Sequence, residues 1–168
     1  MNSRINLSDS SRAPFSYAEY EYILLQLSKH FPVLDYSQID EKTECFCVIR
    51  HDIEFSLERA LSLAIIENKM NIRTSYFVQL NNNTYNAFSL KNINIINKIK
   101  NLGHNIGLHF TPTSADKEKV TSEFFILKKM LEEQFSFNIN RFSFHRPNLN
   151  RQLLKNNIKI KDMINVYD

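Results

Sequence analysis

Long apolar runs, blocks of one charge and cysteine are all scarce in this chain, and each scarcity removes a class of protein. No stretch approaches the roughly 20 apolar residues of a membrane-spanning helix. Lysine and arginine total 21 against 18 acidic residues, a net charge of +3, and the two signs are interspersed, so no nucleic-acid footprint is present. The two cysteines, Cys45 and Cys47, alternate within one apolar run. That spacing puts both on one face of a strand, disfavours a disulfide between them and supplies only half of a zinc knuckle. So few cysteines suit a reducing compartment. Residues 1–13 are polar and lack the apolar centre of a secretory signal, so a cytoplasmic protein is expected.

What is present is a repeated alternation of strand-like and helix-like segments. The 168 residues suffice for one domain with a substantial core. Residues 1–44 read as a tail, a helix and a polar connection: Ser16, three residues before Glu19, predicts a capped helix running to about Phe31 and stopped by Pro32. Cys45 to His51 is nearly continuous β-favouring sequence, as in a strand covered on both faces. Ser56 then caps a helix with Leu57, Ala60, Leu61, Ala64 and Ile65 on one face.

The pattern continues with a strand from Thr74 to Leu80 and a helix from about Ser89 to Leu102, ended by Gly103. A strand from His104 to His109 precedes a long helix over about Ala115 to Gln134, striped by Val120, Phe124, Leu127 and Leu131. A strand from Arg141 to His145, a short helix near Arg151 to Asn156 and a strand-like run from Met163 to Tyr167 complete the series. Such alternation over residues 45–168 predicts an α/β fold with a parallel sheet and right-handed crossovers.

In parallel α/β sheets and barrels the carboxyl ends of the strands form the mouth where active sites are built. Three predicted strands run into ionisable residues there: Arg50-His51-Asp52-Ile53-Glu54, then His109, then His145-Arg146. Asp52 and Glu54 are two positions apart, so their side chains point the same way, with α-carbons on the order of 6–7 Å apart. Two carboxylates beside histidines suit a divalent cation, one group as ligand and the other as general base. Acidic residues also favour the first turn of a helix through its dipole, and the pair alone does not choose between the readings.

His104 and His109 cannot share an ion, because five steps of extended chain span about 16 Å and an odd offset puts them on opposite faces. His109, at the exit end, is the candidate ligand, and His104 the candidate for a structural hydrogen bond. His145 offers a third ligand or a general acid for a leaving amine, with Arg146 beside it either facing the mouth or forming a salt bridge. Arg50 alternates onto the face of Asp52, where it can hold the carboxylate ionised and oriented. Thr84, Tyr85 and Asn86 sit in a loop able to touch a polar ligand or to make a plain turn.

RHDIEFS, TSYFVQL with TYN, LGHNIGLHF and FSFHRP, in this order and spacing, resemble the polysaccharide deacetylase superfamily. That is the NodB-homology, carbohydrate esterase 4-like group, and the likeness is to its branch associated with surface-polysaccharide and O-antigen gene clusters. The resemblance runs from about Cys45 to Asp168. It implies a distorted (β/α) barrel, a divalent metal and a carbohydrate substrate from which N-acetyl groups are removed. Zinc is the first choice of metal, with iron, manganese, cobalt or nickel open.

The resemblance also implies residue roles. Asp-x-Glu here resembles the family's Asp-x-Asp, making Asp52 the base and Glu54 a metal ligand; aligned to the family's adjacent pair instead, Asp52 becomes the ligand and His51 the base. His109 matches the first histidine of the metal motif, whose second falls on Thr113, leaving His145 to complete two histidines and a carboxylate. Family barrels are longer than this chain, which implies that later strands and helices are missing. Exposed strand edges would then invite self-association. A catalytically inactive or truncated sugar-binding relative is the alternative.

Overall fold

The computed structural model describes residues 13–147 and 163–167. The first helix, α1, runs Tyr17–His30; the Ser16 hydroxyl accepts from the Glu19 N–H at 3.1 Å, and the chain leaves the helix at Phe31 before Pro32. A short 3₁₀ turn, Tyr36–Gln38, follows, capped by Asp35.

The first strand, β1, is Arg50–Ile53, so it begins five residues later than expected from the apolar run at Cys45. Two features of the backbone account for the shift. Cys45 adopts a left-handed φ of 54°, which breaks an extended chain. Cys47 pairs with Val33 in a single parallel bridge, so the run is held by the segment after α1 rather than by the sheet. The two cysteines therefore do not share a strand face: Cys45 is exposed and Cys47 half-buried. Nor is β1 covered on both faces, since only Ile53 is fully buried; it is an edge strand.

Helix α2 spans Leu57–Lys69 behind its Ser56 cap. Its buried face is Leu57, Ala60, Ala64 and Glu67, while Ile65 is exposed, a rotation of the expected stripe that brings a carboxylate inside. Strand β2 is Ser75–Val78, α3 is Leu90–Asn101 and β3 is Asn105–Phe110. Gly103 takes a φ of +94° after α3, the left-handed position expected of it. Helix α4, Lys117–Phe135, buries Val120, Phe124 and Leu131; β4 is Arg141–Phe144 and β5 only Ile164–Asn165. The expected short helix at Arg151 to Asn156 lies outside the described residues.

Among the described residues the five strands are all parallel and lie side by side in chain order, β1-β2-β3-β4-β5, so the sheet they form winds in one direction as a barrel does, without closing. Its two ends still meet across the interior. The Arg50 guanidinium donates to the Tyr167 hydroxyl at 3.1 Å and lies 4.8 Å from the ring centre, and that hydroxyl donates to the Phe144 carbonyl.

Period-two alternation separates the two faces of the sheet. Tyr76, Val78, Ile106, Leu108, Phe110, Phe142 and Phe144 pack with the helices in the main apolar core. The alternate residues of the same strands face inward and are largely polar. At the amino-terminal end of that inner face, Arg141 binds Asp35 with both terminal nitrogens and donates to Ser75 at 2.7 Å, and Asn105 donates to Asp35 at 3.0 Å. Phe77 and the Arg141 stem cross above Gly107, where a Cβ would lie 2.5 Å from the ring and 2.9 Å from the arginine. Glycine is required there by close approach. With the lower interior filled in this way, the upper interior is left to Asp52, Glu54, His109, Ser143 and His145.

Candidate metal centre

Glu54, His109 and His145 reach one point from three strand ends. His109 lies within β3, paired in register with Ser143 of β4, while Glu54 and His145 follow directly on β1 and β4. The Glu54 Oε1 atom is 3.3 Å from His109 Nε2 and 3.1 Å from His145 Nδ1, and the two ring nitrogens are 3.2 Å apart. Ligands at zinc-like distances of about 2.0–2.2 Å around a tetrahedral ion stand about 3.3–3.6 Å from one another. The triangle is thus close to one face of such a tetrahedron, and two imidazoles with one carboxylate form a donor set that suits a divalent transition metal. The residues fit the cation implied by the resemblance.

His109 is the buried member, 2% exposed, whereas the Glu54 side chain is 37% exposed at the mouth. Burial pushes the His109 pKa below its ordinary 6.5, against the smaller upward pull of Asp52 and Glu54. That direction favours the neutral ring, the form that ligates a metal. Asp52 stands just beneath: its Oδ1 accepts from the Ser143 hydroxyl at 3.0 Å and lies 3.8 Å from His109 Nδ1, and its Oδ2 is 3.4 Å from Arg50. Arg50 thus meets Asp52 as the alternation requires.

A cleft of about 480 Å³ opens beside the triangle, lined among others by Phe55, Gln79, Thr84, Thr111 and Arg146. The loop after β2 supports its wall. Thr84 donates to the Glu54 carbonyl at 2.6 Å, and Asn82 donates to the same oxygen at 3.0 Å. Tyr85 gives its hydroxyl proton to the Ile53 carbonyl at 2.7 Å, and burial pushes its pKa to about 12. Tyr85 therefore holds the backbone that presents Glu54 instead of offering a stacking face, and Asn86 makes a turn by accepting from the Phe88 N–H.

One sequence candidate, His51, lies elsewhere, as do His104, expected to be structural, and Thr113, the departure from the metal motif. His51 is turned away from Asp52 by the same alternation that aligns Asp52 with Glu54; its Nε2 meets Glu67 of α2 at 2.5 Å and its ring stacks on Tyr76. His104 is buried, its Nε2 bonding to the Ala64 carbonyl at 2.9 Å and its Nδ1 accepting from the Thr74 N–H at 3.3 Å. Thr113 gives its hydroxyl and N–H to Glu123 of α4, away from the triangle.

Ser143, Gln79 and Thr111 belong to this region and were not singled out from sequence. Ser143 had a usable signal, because it stands two residues before His145, as Asp52 stands two before Glu54. Gln79 and Thr111 bond to each other at 2.8 Å across neighbouring strand ends, a pairing that only the register reveals.

No protein-family profile and no curated protein matches this sequence. Among solved structures, the chain is similar to a CE4 family pseudoenzyme from Bacillus anthracis, with 12% identity over 58% of this chain and 34% of that one, at a TM-score of 0.46. It is also similar to a mutant of that protein described as having restored enzymatic activity, with 13% identity over 58% and 35% of the two chains and the same TM-score. The chain spans about a third of the length of these solved structures.

Proposed function

We propose that this chain is a metal-dependent hydrolase of the carbohydrate deacetylase type, acting on an N-acetylated amino sugar in the making or modification of surface polysaccharide. The observation that carries the reading is the triangle of Glu54, His109 and His145 with a second carboxylate, Asp52, directly beneath it. Glu54 Oε1, His109 Nε2 and His145 Nδ1 are the atoms that would hold the cation, with zinc preferred and iron, manganese, cobalt and nickel compatible. When bound, such an ion supplies Lewis-acid polarisation and lowers the pKa of water.

The chain's own residues account for the rest. Asp52 is the proton acceptor: it adjoins the triangle without belonging to it, and Arg50 and Ser143 fix both of its oxygens. His145 contributes Nδ1 to the triangle and so does not serve as the acid through that atom; the proton taken up by Asp52 is the one returned to the departing amine. His51 does not take the base role, being committed to Glu67. Phe55, exposed at the cleft, offers an apolar face to a sugar ring, while Gln79 and Arg146 along the wall offer donors to its hydroxyls.

One observation favours a second reading, a sugar-binding relative without catalysis. Thr113 stands where the superfamily motif places a further histidine, and it is bonded to Glu123. Purified protein assayed with N-acetylated sugars, alongside Asp52→Asn, decides between them. The proposal expects metal-dependent acetate release that the variant loses while retaining metal; sugar binding with no acetate release from the wild type supports the second reading.

A further inference from the structure

We propose that Ser143 is a positioning residue that fixes which nitrogen of His109 carries the proton, leaving Nε2 bare toward Glu54 and His145, and that it ties Asp52 to the same chain of hydrogen bonds. The inference builds on the metal-binding reading of the triangle and assigns a role to a residue outside it.

The assignment follows from counting protons. Ser143 is wholly buried and lies between two partners: its Oγ is 2.7 Å from His109 Nδ1 and 3.0 Å from Asp52 Oδ1. A hydroxyl has one proton to give and a carboxylate can only accept, so that proton goes to Asp52. Oγ is then an acceptor toward His109, and Nδ1 must be the donor. A neutral imidazole has a single N–H, so Nε2 is left with its lone pair exposed. That lone pair faces a carboxylate oxygen at 3.3 Å and a second imidazole nitrogen at 3.2 Å. The three atoms converge on one point, where a cation would take up that lone pair.

Metal-bound histidines generally give their other N–H to a fixed acceptor, and losing that acceptor weakens metal binding by ~10- to 100-fold. Here the acceptor is a serine hydroxyl that is itself oriented by Asp52. The same relay holds Asp52 at a fixed position beside the triangle. Contrast within the molecule supports the role: His104, which accepts at Nδ1 from the Thr74 N–H, must carry its proton on Nε2, where the Ala64 carbonyl accepts it. The two buried histidines at opposite ends of β3 therefore take opposite tautomers, each imposed by its neighbours.

The test uses the whole chain, with two readouts. Long-range proton–nitrogen NMR correlations on the metal-free protein should show His109 protonated at Nδ1 in the wild type and a mixture or the reverse in Ser143→Ala. Titration with zinc ions alone should show Ser143→Ala ~10- to 100-fold weaker than wild type. Ser143→Thr, which keeps the hydroxyl, should restore both readings. Unchanged zinc affinity together with unchanged Nδ1 protonation in Ser143→Ala overturns the role of Ser143 while leaving the metal reading intact. A wild type that binds no zinc sinks the metal reading, and the tautomer then decides the Ser143 assignment by itself. If Ser143→Ala fails to fold, an Nε2-protonated His109 in the wild type still overturns it.

Discussion

Two glutamates in this molecule each meet two histidines, and they behave as opposites. Glu67 of α2 is fully buried and saturated: His51 and Tyr20 approach one oxygen at 2.5 Å each, while Tyr76 at 2.6 Å and Thr74 at 2.8 Å give protons to the other, with His104 3.7 Å away. Burial alone would raise its pKa, but the bonds from His51, Tyr20 and Tyr76 outweigh burial and hold it below 4.5. Burial and the adjacent charge push the Tyr20 and Tyr76 phenols up, so both remain donors. Glu54 is part-exposed at a cleft, and among the described residues no hydroxyl donates to its carboxylate. The same residue types thus make a structural knot where hydroxyl donors satisfy both carboxylate oxygens, and a candidate ligand set where one carboxylate oxygen and two ring nitrogens converge on a single point.

The comparison can be broken first at Glu67. Replacing it with alanine strands the hydroxyls of Tyr20, Tyr76 and Thr74 and the His51 ring, and should cost about 3–5 kcal/mol of stability in denaturant unfolding. Glu54→Gln should stay within about 1 kcal/mol of wild type, as a part-exposed surface change does. Equal losses in the two variants would erase the distinction.

A comparable loss, again about 3–5 kcal/mol, is expected from Asp35→Asn, which leaves Arg141 buried without its counter-ion. This pair also sets an acid limit. Burial would raise the Asp35 carboxyl, but Arg141 and Ser37 more than offset it and hold its pKa at about 2, against 3.8 ordinarily. Between those values the unfolded chain binds the extra proton. The contribution is therefore complete above about pH 3.8 and lost as pH falls through 2. Acid unfolding curves of wild type and Asp35→Asn should converge across that window.

A smaller effect separates the histidines at the two ends of β3. His104→Ala should lose about 1–3 kcal/mol, the cost of leaving the Ala64 carbonyl and Thr74 N–H unsatisfied, while retaining any metal. His51→Asn should likewise lower stability but not the proposed turnover, whereas Asp52→Asn should abolish it; loss of activity at constant metal content in His51→Asn would return His51 to the base role.

Much of this arrangement was legible in the residue order. Strand-helix alternation gave a parallel sheet, and two-residue spacing placed Asp52 with Glu54 because strand geometry leaves no other choice. The predicted strand start at Cys45 came five residues too early for a non-local reason: Cys47 pairs with Val33, a contact that local β propensity does not encode. The rotated face of α2 was hidden for a similar cause. Glu67 scores as a solvent residue until the hydroxyls of Tyr20, Tyr76 and Thr74, each from another element, are brought to it. Ser143 remained invisible because its significance lies in strand register, which puts it opposite His109.

The central claim is that Glu54, His109 and His145 form one cation site, and elemental analysis of purified protein tests it most directly. Wild type should carry or take up one divalent ion per chain, His109→Ala should carry none, and His104→Ala should match the wild type. Identical metal content in wild type and His109→Ala would contradict it.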